Sequence, residues 1–274
     1  MPKFKVAAIQ LNSQPDLKTN LSMSERAVRK AAEMGAELAV LPENFAFMGN
    51  EWDKYLQGDK ISKAVTAALP EWAEQSKIHI IAGGFPVRAA SGKVYNRSVI
   101  VDPDGKVLAK YDKIHLFDVT LSTEETYRES DTVEAGAAQP VVCEIKLPNG
   151  DKQLKIGLSI CYDLRFPELY RLLAAEGAEL ICIPSAFTRP TGKAHWEVLL
   201  RARAIENSLY VVAPAQTGQH SEQRKTYGHS YIIDPWGQVL SDAGTKPGVV
   251  ISEIDTDKIR EVRLKLPSLK HRVL

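Results

Sequence analysis

Hydrophobic and polar positions follow the same pattern twice along this chain. Residues 5–11 are similar to residues 155–161, and residues 35–45 are similar to residues 177–187. In the second pair, each segment contains an apolar run, at 38–41 and at 180–183, without alternating polar residues. Such runs are typical of strands covered on both faces. The pattern therefore predicts two related halves, each built around buried strands.

Each half is also expected to contain helices and a hairpin. Residues 25–34 are rich in Ala, Arg and Glu, and residues 168–176 place three leucines at helical spacing. Both segments end at a glycine, as helices commonly do. Further along, an Asp-Pro-Asp-Gly tetrad at 102–105 and an Asp-Pro-Trp-Gly tetrad at 234–237 separate β-branched runs. Each tetrad predicts a hairpin turn.

The repeated elements predict an α/β fold. Each half contains strand, helix, strand, helix, strand and hairpin, which favours a four-layer α-β-β-α sandwich with a pseudo-two-fold internal repeat. No linker separates the halves, so we predict a single domain over residues 1–274, with a C-terminal tail from about residue 264. Two independent α/β domains are the alternative.

Composition limits the classes of partner. The chain has 274 residues, 44% of them hydrophobic and 25% charged, as in ordinary globular proteins. Its net charge of +1 gives no field that would hold nucleic acid. No signal peptide or membrane span is evident, so no membrane partner is expected. The 3 cysteines lack a Cys-x-x-Cys pair, which argues against disulfides or a structural zinc site and fits a reducing cytoplasm.

Cys161 is the first candidate for chemistry. It ends the apolar run 158–160 and is followed by Pro167 and Glu168, which predict the first turn of a helix. At such an elbow, helix-terminal N–H groups favour the thiolate and can bind an oxyanion. The alternative is a small core residue, which is how we interpret Cys143 and Cys182.

Two further residues are candidates because of their positions in the repeat. Glu43 follows an apolar run, and polar residues at strand ends commonly form the sites of α/β sheets. An apolar surround disfavours the charged carboxylate, which suits a general base, although a surface or capping role is the alternative. Lys113 lies where the two halves cease to be similar. If its ammonium is buried it needs a carboxylate partner, for which Glu43 and Glu129 are candidates.

Three segments together resemble a known family. Residues 41–43, 111–118 and 160–168 resemble, in order, the signatures of the nitrilase superfamily of carbon–nitrogen hydrolases, and the similarity extends from about residue 3 to about residue 264. The resemblance implies an α-β-β-α sandwich and a Glu-Lys-Cys triad: Cys161 as nucleophile, Glu43 as general base and then acid, Lys113 as electrostatic stabiliser. It implies that Glu129 positions Lys113 and the substrate.

The same resemblance implies a chemistry and an assembly. An amide would be hydrolysed through a Cys thioester, a mechanism that needs no metal and no organic cofactor. The helix after the nucleophile, with a second one starting near His195, would form a homodimer or a higher homo-oligomer. We interpret His195 itself as structural, and Arg189-Pro190 as a rigid basic insertion in a loop near the site.

A second block indicates a branch of the superfamily. Residues 187–188, 191–197 and 200–207 resemble the branch that holds deaminated glutathione amidases and ω-amidases, and residues 215–220 and 224–230 look closer to the former. This resemblance implies hydrolysis of deaminated glutathione to 2-oxoglutarate and cysteinylglycine, a metabolite-repair role. The alternatives are an ω-amidase acting on 2-oxoglutaramate or 2-oxosuccinamate, and an N-carbamoyl amide hydrolase. A thiol carrier and a non-catalytic binding protein are the alternatives outside the enzyme class.

Substrate contacts are predicted near the nucleophile. Arg165 is the first candidate for binding a substrate carboxylate, because a guanidinium offers two parallel hydrogen bonds. A structural pair with a neighbouring carboxylate is its alternative. Tyr162 would supply a backbone N–H to the oxyanion. Phe187 and Thr188 would line the pocket just beyond a strand end.

Overall fold

The chain forms strands and helices in the order that the repeat predicts, in a computed structural model that describes residues 3–121, 126–147 and 153–273. The first half contains β1 (Lys3–Gln10), α1 (Leu17–Glu33), β2 (Leu38–Val40), α2 (Glu51–Leu56), α3 (Gly58–Ser76), β3 (His79–Arg88), β4 (Val94–Val101), β5 (Val107–Asp112), β6 (Asp118–Thr120) and β7 (Thr126–Arg128). The second half contains β8 (Val142–Lys146), β9 (Gln153–Leu158), α4 (Pro167–Ala175), β10 (Leu180–Cys182), α5 (Arg189–Asn207), β11 (Tyr210–Ala213), β12 (Thr217–Gln219), β13 (Lys225–Tyr227), β14 (Tyr231–Ile233), β15 (Val239–Asp242), β16 (Gly248–Asp255) and α6 (Thr256–Lys265). Short 3-10 turns cover Glu129–Asp131, Cys161–Arg165 and Ser268–His271.

Two six-stranded sheets carry the internal repeat. Their strand orders are β16-β1-β2-β3-β4-β5 and β8-β9-β10-β11-β14-β15. Position by position, each strand of the first sheet has its counterpart in the second, and in both the three strands β1-β2-β3 and β9-β10-β11 are parallel. Helices α1 and α4, like α3 and α5, occupy equivalent places in the chain order. The predicted α/β class and pseudo-two-fold repeat are confirmed.

The main core lies between the two sheets. In β1, Val6 and Ala8 belong to the apolar cluster that includes residues of the second sheet. The alternate residues Ala7 and Ile9 belong instead to the cluster with α1 and α3. Each strand is therefore apolar on both faces, because one face meets the other sheet and one meets helices. This explains the runs without alternation and places the helices outside.

The helix ends follow local chemistry. Helix α1 begins at Leu17, well before the predicted segment 25–34, because the side chain of Asp16 caps it by accepting from Thr19 N at 2.7 Å. Both predicted glycine ends are confirmed: Gly35 and Gly177 have φ of 84° and 90°, the left-handed region that favours glycine. No helix among the described residues is long and apolar enough to cross a membrane.

Both predicted hairpin turns are confirmed, and each is closed by its first residue. The Asp102 carboxylate accepts the backbone N–H groups two and four residues on, at 3.0 and 2.8 Å. Asp234 makes the same two bonds at 2.8 and 2.9 Å. The two turns connect β4 to β5 and β14 to β15, at matching places in the two sheets.

One loop prediction was wrong. Arg189 and Pro190 open α5 rather than extend a loop, since proline fits the first helical turn, where a backbone N–H has no partner within the helix. Helix α6 ends at Lys265, next to the expected start of the C-terminal tail at about residue 264. Helix α6 is held to the body by Arg263, which donates to the carbonyls of Ser208 at 3.2 Å and Ala178 at 3.1 Å.

Gly83, in β3, provides a test of this packing. A Cβ there would lie 2.3 Å from the carbonyl oxygen of Pro42, so backbone would have to move. We expect Gly83→Ala to lower the free energy of unfolding in urea by about 2 kcal/mol. Gly248→Ala is the control, because nothing lies near its Cβ position, and it should change stability by less than about 0.5 kcal/mol. Equal losses in the two variants would contradict the packing argument.

Candidate active site

One cavity is lined by residues of both halves. The four predicted catalytic residues line it: Glu43, Lys113, Glu129 and Cys161. The four predicted substrate contacts line it as well: Tyr162, Arg165, Phe187 and Thr188. The fold explains why they meet, since the segments after β2, β9 and β10 leave the same ends of parallel strands.

Lys113 is a buried ammonium between two carboxylates. Its Nζ lies 2.7 Å from Glu129 Oε2 and 3.5 Å from Glu43 Oε1, and the residue is 1% exposed. Burial by itself would lower the pKa of Lys113. The nearby carboxylates of Glu129 and Glu43 have a larger, opposite effect, so the pKa is raised overall. The ammonium therefore keeps its proton. Both carboxylates that the sequence proposed as partners of Lys113 are its neighbours.

Glu129 is fixed as an anion. Its Oε2 accepts from Lys113 and from the backbone N–H of Phe117, the latter at 2.6 Å. Burial would raise the pKa of Glu129, but the Lys113 ammonium and these hydrogen bonds lower it overall. The result is a charged pair that holds Lys113 in one place, which is the positioning that the sequence comparison implied.

Cys161 is held as a thiol rather than a thiolate, which corrects the expectation from the elbow. Burial and then the neighbouring Glu43 carboxylate raise the pKa of the Cys161 thiol, and Lys113 opposes them only in part. No helix N-terminus directly follows Cys161 to oppose these effects, because a 3-10 turn comes next and α4 begins only at Pro167. The Glu43 carboxylate neighbours this thiol in the cavity, so a base is available to accept its proton.

Backbone N–H groups surround the thiol. Cys161 has a left-handed φ of 48°, and its own N–H donates to the carbonyl of Pro184 at 2.9 Å. Ala186 lines the cavity with Cys161, and its backbone N–H acts to lower the pKa of the thiol, against the larger effects of burial and Glu43. Tyr162 is the second residue of the 3-10 turn, where a backbone N–H has no acceptor within the turn. That position suits an oxyanion donor.

Asp163 fixes the turn that carries the nucleophile. It is fully buried and accepts from four donors: Ile160 N at 2.8 Å, Tyr111 Oη at 2.6 Å, and His115 N and Nδ1 at 3.1 and 2.7 Å. These bonds join the segment of Lys113 to the segment of Cys161. The sequence reasoning considered this carboxylate only as a neighbour of Arg165 and missed its role as a link.

Arg165 pairs with neither of the carboxylates nearest in sequence among the described residues. Its guanidinium lies 5.8 Å from the ring centre of Tyr162 and 5.5 Å from that of Phe187. The Nη atoms lie 3.4 Å from Nδ1 of His195, an exposed residue at this edge of the cavity. Because Asp163 already accepts hydrogen bonds from other donors, the paired N–H donors of Arg165 remain available for an incoming carboxylate.

Asn96 is a site residue that the sequence reasoning missed. Its Nδ2 donates to Glu43 Oε1 at 2.9 Å and to Glu129 Oε1 at 3.3 Å, so one amide bridges two anions. Oε1 of Glu43 also faces Lys113, which leaves Oε2 as the oxygen for the thiol proton. Only the inward alternation along β4 could have indicated Asn96, and that pattern does not distinguish it from a core residue.

Other polar residues of the cavity were also missed or only weakly indicated. Asn44 lines the cavity, whereas the Ser185 hydroxyl, at the equivalent strand end, is buried and donates to the carbonyl of Ile183 at 3.0 Å. Three further residues enter from α2, from β7 and from the connection between β12 and β13: Lys54, Tyr127 and Arg224. No role at the site was predicted for any of the three, although Arg224 belongs to the block at 224–230 that looks closer to deaminated glutathione amidases.

Comparison with known proteins places this geometry in a family. The Carbon-nitrogen hydrolase family matches residues 5–264. A deaminated glutathione amidase of Synechocystis sp. is 50% identical over 100% of this chain and 99% of its own length. The mouse omega-amidase NIT2 is 38% identical over 99% of this chain and 96% of its own length.

A solved structure agrees with these relatives. The C. elegans NitFhit protein superposes with a TM-score of 0.91 at 37% identity. The match covers 99% of this chain and 65% of that longer chain, so this protein spans just under two thirds of it. With the family match over nearly its full length and relatives of this identity, the chain belongs to the carbon–nitrogen hydrolase family, the nitrilase superfamily.

Proposed function

We propose that this protein is an amidase that hydrolyses deaminated glutathione to 2-oxoglutarate and cysteinylglycine through a thioester on Cys161. The observation that carries the proposal is the cavity that Cys161 lines together with Glu43 and the Lys113 ammonium. A nucleophile, a base and a fixed positive charge in one buried site are the requirements of acyl transfer.

Acylation begins with a proton transfer. Glu43 takes the Cys161 proton as the sulfur attacks the amide carbon, so a stable thiolate is not needed. The new S–C bond places a negative charge on the amide oxygen, which the Lys113 ammonium and the Tyr162 N–H stabilise; one such donor is typically worth about 3 kcal/mol. The oxyanion then collapses, the C–N bond breaks, and Glu43 returns its proton to the leaving nitrogen. The acyl group remains on sulfur.

Deacylation repeats the same steps with water. Glu43, again a carboxylate, takes a proton from a water molecule that attacks the thioester carbon. The S–C bond breaks, the acid leaves, and the proton on Glu43 returns to the sulfur. Asn96 and Lys113 both act on Oε1 of Glu43, so the same oxygen, Oε2, serves each transfer.

The substrate assignment has two supports. The Synechocystis relative at 50% identity carries the name deaminated glutathione amidase, and the Arg165 guanidinium offers a site for the 2-oxo acid carboxylate. The second candidate is an ω-amidase acting on 2-oxoglutaramate, favoured by the 38% identity to mouse NIT2. Both substrates release the same 2-oxoglutaryl group to Cys161, so they differ only in what leaves.

The assembly that we propose is a homodimer formed by α4 and α5. Three large apolar side chains on these helices are exposed: Leu172 at 50%, Val198 at 68% and Ile205 at 45%. Apolar side chains grouped on neighbouring helices favour a protein partner. The compartment that we propose is the cytoplasm, since Cys143, Cys161 and Cys182 are all free.

Kinetics and mass spectrometry test the function. We expect deaminated glutathione to have a higher kcat/KM than 2-oxoglutaramate and N-carbamoyl amino acids. Cys161→Ala should abolish turnover, and Glu43→Gln should accumulate a 2-oxoglutaryl adduct on Cys161. Cys143→Ala is the control and should keep activity, because Cys143 does not line the cavity. An active Cys161→Ala enzyme would refute the mechanism, and faster turnover of another amide would refute the substrate.

The bridge made by Asn96 predicts a change in pH dependence. The site lowers the pKa of Glu129, and removing the Asn96 donor makes the charged form of Glu129 less favourable, so the acid limb of the kcat/KM profile should move to higher pH. We expect Asn96→Leu to lower kcat roughly a hundredfold, since the base is less well positioned. Ser98 lies in the same strand as Asn96. Ser98→Ala removes a buried hydrogen bond to the Ala82 carbonyl and should leave the pH profile unchanged. An unmoved acid limb in Asn96→Leu would contradict the bridging role.

Sedimentation tests the proposed dimer. Val198→Glu places a charge among the exposed apolar residues of α5. We expect the dissociation constant of the dimer to rise roughly a hundredfold. Val107→Glu, at an exposed residue of β5, is the control and should sediment like the parent protein. A monomeric parent protein, or a Val198→Glu variant with unchanged association, would overturn the proposal.

A further inference from the structure

We propose that Arg224 determines specificity for the leaving group by binding the carboxylate of the departing dipeptide. The inference rests on the proposed function, because it assigns the second carboxylate of the same substrate. Deaminated glutathione carries one carboxylate on the 2-oxo acid side of the cleaved bond and one on the cysteinylglycine side. A simple 2-oxo acid amide carries only the first.

Most of the charge in the cavity is balanced by its own residues. One buried group contains the carboxylates of Glu43 and Glu129 and the ammonium of Lys113, so it carries one excess negative charge. At another wall, the Lys54 ammonium lies 2.7 Å from Glu51 Oε1, and this pair is neutral. The remaining charged residues of the cavity are Arg165 and Arg224, and neither forms an ion pair within the described part of the chain.

The Arg224 guanidinium is held in place but keeps free hydrogen-bond donors. Its guanidinium lies 4.7 Å from the ring centre of Tyr127, and Nη2 donates a long bond of 3.5 Å to the carbonyl of Ala186. Its Nε is buried without a hydrogen-bond partner among the described residues. A buried donor without a partner costs free energy, and a bound carboxylate would restore that bond. The ring and the carbonyl hold the guanidinium in place while its remaining donors stay available.

The positions of the two guanidiniums in the fold indicate which carboxylate each one binds. Arg165 belongs to the 3-10 turn of the nucleophile and packs over Tyr162 and Phe187. It is therefore fixed relative to the acyl group that becomes bound to sulfur. Arg224 comes from the connection between β12 and β13, next to three consecutive exposed residues, 221–223. The leaving dipeptide must pass to water, so the guanidinium at this exposed connection is the one that meets it.

Ala186 links Arg224 to the reaction centre. Ala186 lines the same cavity as Cys161, and its carbonyl accepts from Arg224. The guanidinium thus lies against a residue that shares the cavity with the nucleophile. A carboxylate bound there would orient the amide nitrogen towards Glu43, which must protonate it.

A cycle of substrate and enzyme changes tests the assignment. The substrates are deaminated glutathione, its analogue with the glycine carboxylate converted to an amide, and 2-oxoglutaramate. For the parent enzyme we expect kcat/KM to fall roughly thirtyfold when the glycine carboxylate is neutralised. In Arg224→Met the same neutralisation should change kcat/KM by less than about threefold, because the interaction is already lost. Arg224→Lys should lie between the two.

Controls separate the possible outcomes. Lys225→Met changes the exposed neighbour of Arg224 and should keep the parent's preference for the free carboxylate. Arg165→Met should reduce kcat/KM for all three substrates, since each carries the 2-oxo acid. If Arg224→Met retains the full effect of neutralisation, the assignment is wrong while the proposed function stands. If the parent enzyme turns over none of the three substrates, the proposed function itself fails.

Discussion

The site depends on one buried ammonium held between two carboxylates. Lys113 is 1% exposed, and removing such a charge from water is unfavourable unless carboxylates surround it. Glu129 is the close partner at 2.7 Å, and Glu43 stays at 3.5 Å. The longer distance matters, because a carboxylate bound tightly to Lys113 would be a poor base. Glu129 thus compensates the charge of Lys113 and leaves Glu43 free to exchange a proton with Cys161.

Holding these groups requires segments that are far apart in sequence. Glu43 follows β2, Lys113 follows β5, and Cys161 follows β9 in the other sheet. The core between the sheets sets their separation, and Asp163 joins the last two segments through its four hydrogen bonds. Asn96 joins the first two, because its side-chain amide donates to Glu43 at 2.9 Å and its backbone carbonyl accepts from the backbone N–H of Lys113 at 3.0 Å. The site is therefore a product of the duplicated fold rather than of any single segment.

The sequence predicted those features that depend on repetition and local chemistry. The non-alternating runs gave the strands, glycine ended the helices, and the Asp-Pro tetrads made hairpins, because each acts within a few residues. Features set by tertiary contacts were missed. Asn96 looks like any inward residue of a strand, and Arg224 was noticed only as part of the block that resembles deaminated glutathione amidases, without a role. The thiol state of Cys161 was also misjudged, since it depends on burial and on Glu43, neither of which is visible locally.

A neutral thiol has a consequence for selectivity. Because burial and Glu43 keep the Cys161 proton in place, the sulfur becomes strongly nucleophilic only as Glu43 accepts that proton during attack. A substrate must therefore be positioned before it reacts, and a guanidinium that binds its carboxylate also sets the approach of its carbonyl to sulfur. Binding and activation are coupled in this way. Discrimination among 2-oxo acid amides then depends on the charged groups around the cavity, while the buried group of Glu43, Lys113 and Cys161 remains the same for each of them.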